Sequence, residues 1–101
     1  MLERRQHERK TVDLALEFAA SQGERAAGVC RDLSLGGMRI QTRSPLEYGA
    51  KVTVYVLFPG TSSPVALPAI VRWATPTEMG VQFELLGARE TYAITQLLGA
   101  R

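Results

Sequence analysis

Two short runs of residues carry most of the chemistry that this chain of 101 residues can offer. The first is Arg5-Gln6-His7-Glu8-Arg9, two arginines four apart, with Arg4 directly ahead of them. The second is Asp32-Leu33-Ser34-Leu35-Gly36-Gly37, an Asp-x-Ser-x-x-Gly pattern. Guanidinium groups are planar forks of N–H donors that grip anionic oxygens in pairs, so the first run points to an anion. The second run offers a carboxylate, a hydroxyl and two glycines that let a backbone be approached closely. Taken singly each is weak. An arginine pair at this spacing arises by chance in roughly one chain of this length in four, and Asp, Ser and Gly are ordinary turn residues. Their occurrence together, one before the first predicted strand and the other after the second, is much rarer.

Charge agrees with the first run. The net charge is only +2, with a pI near 9.0. Residues 1–10 hold Arg4, Arg5, Arg9 and Lys10 against Glu3 and Glu8, which accounts for the whole excess. So mild a balance argues against general binding of a nucleic acid polymer, which needs a strongly basic face. A small barrel that binds RNA or single-stranded DNA would also need aromatic platforms, and aromatics are 7% of the chain. His7 is the only histidine, so it has no partner for metal or nucleophilic chemistry. Ser34 has no histidine or lysine predicted beside it, and the acidic residues are scattered, so no enzyme activity is expected. The lone Cys30 excludes an internal disulfide and a cysteine zinc cage, and reads as a small buried hydrophobe. No apolar run nears the ~18 residues of a membrane-spanning helix, and no secretory signal follows the charged start. A cytoplasmic protein without membrane insertion, metal or cofactor is expected.

The elements that must position these residues are strands. In Val12-Asp13-Leu14-Ala15-Leu16-Glu17-Phe18 large apolar residues alternate with polar or small ones, the mark of a half-buried strand. Ser21 to Glu24 reads as a turn. Further strands are predicted over Arg25–Arg31, Met38–Thr42, Val52–Phe58, Val65–Thr75 and Met79–Leu85, the last facing Met79, Val81, Phe83 and Leu85 one way. The tail changes period: Ala88–Leu98 is rich in helix formers, and Tyr92, Ile94, Leu97 and Leu98 form an apolar stripe expected to cover a barrel opening. The fold expected is mainly all-β: a six-stranded antiparallel barrel with one short C-terminal α-helix. Residues 1–11 have too few apolar side chains to pack alone and read as a flexible ligand-binding arm; residues 12–101 form the barrel and helix.

On its two runs the chain resembles the PilZ domain family, whose signatures are Arg-x-x-x-Arg before the first strand and Asp/Asn-x-Ser-x-x-Gly after the second. Gly37-Met38-Arg39-Ile40, Val71-Arg72-Trp73 and Gly80-Val81-Gln82-Phe83 are similar to its later strands, so the resemblance spans about Glu3 to Leu98. It implies a bacterial receptor for the second messenger cyclic di-GMP. The ligand would be held between the arginine arm and the Asp-x-Ser-x-x-Gly turn, and the altered surface would signal to an unidentified partner protein. Arginine forks match the O6 and N7 acceptors of guanine and the phosphates. Asp32 can accept from guanine N1–H and N2–H, Ser34 can add a hydroxyl contact, and Gly36 and Gly37 leave room for the ligand. A third arginine before the pair, here Arg4, implies an intercalated dimer of the messenger, two nucleotides per domain. Trp73 stands where some relatives place an aromatic against the ligand, and could equally be a tryptophan half-buried on the barrel wall. The alternative is a PilZ-like adaptor that binds protein and no nucleotide.

Overall fold

In the computed structural model, which describes residues 9–99, the alternating segments become six strands. They are β1 Arg9–Ala20, β2 Ala26–Ser34, β3 Gly37–Gln41, β4 Lys51–Val56, β5 Val65–Ala74 and β6 Glu78–Phe83, followed by α1 Ala88–Leu98. All pairings are antiparallel, and the strands close into a barrel in the order β1-β2-β3-β6-β5-β4, with β4 returning to β1. Closure leaves no unpaired sheet edge. The apolar set of each alternation points inward: Phe18, Leu33, Ile40, Val54, Leu67, Val71 and Met79 are all fully buried.

Several strand ends shift from the sequence reading, and those that bear on the site or the core have a physical reason. β1 starts at Arg9 and not Val12, because Arg9, Lys10 and Thr11 pair with Ser34, Leu33 and Asp32. β2 therefore runs on to Ser34, so that Asp32 and Ser34 stand at a strand end and only Leu35 and Gly36 form the turn. Leu85, beyond the end of β6, is 95% exposed and does not share the inward face of Met79, Val81 and Phe83.

The helix covers a barrel mouth. It packs on β2 and β5, which lie on opposite sides of the barrel, and buries Ala93 and Ile94. Leu97 and Leu98 join the core cluster, whereas Tyr92 is exposed. Tyr92 precedes Ile94 by two residues, about 200° around a helix, so both cannot face inward. The Lys10 ammonium donates to the Leu97 carbonyl at 3.0 Å, a cation at the negative end of the helix. No helix among the described residues is long and apolar enough to cross a membrane.

Cys30 lies fully buried on β2. Burial pushes its thiol up from 9.0 to about 12, since the thiolate would lose its hydration. The unfolded thiol ionises near 9.0 while the folded one keeps its proton, so this group's stabilisation is lost as pH rises from about 9 towards 12. Urea denaturation at pH 8 and pH 11 should show a loss approaching 1.4 kcal/mol per pH unit above pH 9. The loss should be absent in Cys30→Val; equal pH slopes for the two proteins would refute it.

Candidate ligand-binding site

The β2–β3 turn is built from its own polar groups. Ser34, buried to 7% exposure, accepts hydrogen bonds from the backbone N–H of Gly36 at 3.1 Å and of Gly37 at 3.2 Å. Its hydroxyl donates to the Gly37 carbonyl at 3.4 Å. One donor and two acceptor sites are all a serine has, so Ser34 spends its capacity inside the turn. The Gly36 carbonyl in turn accepts from Phe83 N–H at 2.8 Å, which ties the turn to β6. Gly37 is glycine because of the next strand: a Cβ there would strike the Val81 carbonyl. Space for β6 is thus what the structure displays at Gly37, where the sequence reading expected space for a ligand.

Asp32 stands two residues before Ser34 with its side chain outward. Arg9 pairs with Ser34 in the ladder, which makes Arg9 and Asp32 diagonal neighbours within reach of a long side chain. The Arg9 Nε donates to Asp32 Oδ2 at 2.9 Å. From Asp32 a single row crosses the outer wall: Asp32 opposite Arg39, Arg39 opposite Gly80, Gly80 opposite Trp73. Trp73 is 41% exposed, and its indole lies over Gly80, where a Cβ would run into the ring. This half-buried placement on the wall is one of the two expected for Trp73, and the indole still presents a face to the site.

An open depression of about 360 Å³ lies on this wall, lined among others by Arg9, Gly36, Arg39, Arg72, Trp73 and Gln82. Ser34 and Gly37 also border it. Asp32 does not, and reaches it through its ion pair with Arg9. Arg9, Ser34, Gly36, Gly37 and Trp73 are therefore brought together at one depression, while Arg4, Arg5 and His7 lie outside the described residues. Arg39, Arg72 and Gly80 are site residues that the sequence reading did not single out. Arg39 donates to Glu78 at 2.8 Å and Arg72 Nε to Gln82 Oε1 at 2.7 Å. Arg39 had a usable signal, since it lies between the inward Met38 and Ile40 and must face out.

Fold and site define a small closed β-barrel carrying a cationic depression on its outer wall. The chain belongs to the PilZ domain family, whose model matches residues 3–99. No functionally curated protein matches its sequence. The PilZ domain of YcgR from Escherichia coli, solved with c-di-GMP, is similar at a TM-score of 0.77 and 15% identity, over 95% of this chain and 89% of that one. The PilZ domain of CeSA from a cellulose synthesizing bacterium matches at 0.72 and 20% identity, over 90% and 94%. The Bacillus subtilis inhibitor of motility (MotI/DgrA) matches at 0.74 and 19% identity over 96% of this chain, which spans 50% of the Bacillus protein. At such identities the likeness speaks for the fold.

Proposed function

We propose that this PilZ domain is a bacterial cytoplasmic receptor for cyclic di-GMP that signals to a partner protein and is not an enzyme. The observation that carries the reading is the meeting of Arg9 and Trp73 at one depression on the barrel wall, with Asp32 tied to it through Arg9. Arg9 and Asp32 hold each other at the surface, and each can exchange that partner for a ligand group: a phosphate or guanine edge for the guanidinium, guanine N–H donors for the carboxylate. Ser34 and Gly37 act by holding the turn, and Gly36 borders the ligand. Arg4 and Arg5 reach the ligand from the arm, with Arg4 serving a second, intercalated nucleotide. The YcgR domain solved with c-di-GMP supports the choice of ligand by its fold.

Calorimetric titration with cyclic di-GMP tests this. Saturable binding at two nucleotides per domain is expected, and a flat isotherm would reject the reading. One nucleotide per domain would reject the role given to Arg4. Asp32→Ala should weaken binding roughly tenfold through lost charged hydrogen bonds. Its melting temperature should stay near that of the parent, since Asp32 is paired at the surface and not in the core.

A further inference from the structure

A bulge on β5 sets one cation of the site where no counter-charge meets it among the described residues. Val71 pairs with Val81 and Trp73 with Gly80, so Arg72 is the extra residue between them. In a regular strand Arg72 and Trp73 would point to opposite faces. The bulge turns both outward while Val71 stays buried. Three guanidinium groups line the depression. Arg9 is paired with Asp32 at 2.9 Å and Arg39 with Glu78 at 2.8 Å. Among the described residues Arg72 has only a neutral partner, the Gln82 side-chain oxygen, bonded through Nε. That bond aims the guanidinium along the β5–β6 wall, and its two terminal amino groups have no partner among the described residues. The neighbouring indole, seated on Gly80, offers an apolar face beside the charge.

We propose that Arg72, held in place by Gln82, is a ligand-binding residue that takes a phosphate on the β5–β6 wall while a guanine lies on Trp73. The inference rests on the cyclic di-GMP reading and adds a second anchoring point to it. A cyclic dinucleotide carries two phosphates, and one set of contacts at Arg9 leaves the other unmatched. Two free terminal amino groups fit two phosphate oxygens as a fork, which an ammonium cannot copy. Gln82 is a positioning residue.

Titration of cyclic di-GMP into the parent protein, Arg72→Ala, Arg72→Lys and Gln82→Ala tests the assignment, with thermal melts alongside. Arg72 is exposed, so all four should melt together. Arg72→Ala is expected to lose roughly tenfold in affinity, Arg72→Lys to recover part of it, and Gln82→Ala to lose less than Arg72→Ala. The salt dependence of binding should also flatten in Arg72→Ala, as one phosphate contact is gone. If the parent binds and Arg72→Ala binds equally well, the inference fails and the receptor reading stands. If the parent itself does not bind, the receptor reading fails and takes this inference with it.

Discussion

Gly37→Ala is expected to destabilise the barrel by about 3 kcal/mol, seen as a fall in Tm of more than ~10 °C. The added methyl group would meet the Val81 carbonyl, and beyond it the Val81 carbonyl carbon and the Gln82 Cα, both 3.2 Å from the methyl position. These are backbone atoms, so no rotamer change can make room. β6 cannot retreat either. It is paired to β3 on one side and β5 on the other, and the barrel is closed. Relief must come from opening the β3–β6 ladder beside the turn, where Phe83 N–H holds the Gly36 carbonyl. Gly87→Ala is the matched control. Its methyl would also be crowded, but by the Glu90 carboxylate oxygen at 2.6 Å, the end of a side chain that can swing away. Gly87 has an ordinary φ of −79°, so alanine fits its backbone. Urea or thermal denaturation of the two variants measures the contrast. A Gly37→Ala protein within ~1 kcal/mol of the parent would show that the ladder yields more easily than a closed barrel should.

The same residue marks where sequence reasoning stops. Period-two alternation is a local property, and it located all six strands and the inward residues from Leu16 to Val81. The helix was equally legible, because its period differs from that of the strands. Pairing partners are not local. That Gly37 lies against the Val81 carbonyl depends on β3 meeting β6, tens of residues away in the chain, and that Gly80 seats Trp73 depends on the bulged register of β5 on β6. Glycine in a motif therefore read as space for a ligand, when β6 already fills the space at Gly37. The bulges fall between these extremes. Cys30-Arg31-Asp32-Leu33 and Val71-Arg72-Trp73 each break the alternation by setting two outward residues side by side after a buried one. Such a break is the visible trace of a bulge. Here it would have flagged Arg72, which lines the depression, together with Asp32, which reaches it through Arg9. Ser34 read as a free hydroxyl because the N–H groups that occupy it belong to a turn whose shape follows only once β2 extends to Ser34 itself.

The largest effect on function is expected at the arginine pair. Arg9→Ala should lower the affinity for cyclic di-GMP by at least ~2 kcal/mol, about thirtyfold, with little change in stability. The two halves of that statement have separate causes. The Arg9–Asp32 pair is half-open to solvent, with side-chain exposures of 42% and 23%. Exposed ion pairs contribute only about 0–1 kcal/mol, because both charges are already well hydrated and two flexible side chains must be fixed. Losing this pair therefore costs the fold little. It also makes the pair cheap to exchange, so the ligand can take both groups without a large penalty. In the complex the guanidinium would meet phosphate or guanine acceptors in a more enclosed setting, where charge-assisted bonds count for more. Arg9→Lys should regain only part of the loss, since an ammonium carries the charge without the fork. Arg5→Ala is expected to match Arg9→Ala in affinity. Arg9→Ala combined with Asp32→Ala should lose less than the sum of the single losses, because the carboxylate freed by the first change is no longer oriented. Titration of the parent, these four variants and Asp32→Ala alongside their melting curves decides it, and undiminished affinity in both Arg5→Ala and Arg9→Ala would remove the arm from the binding site.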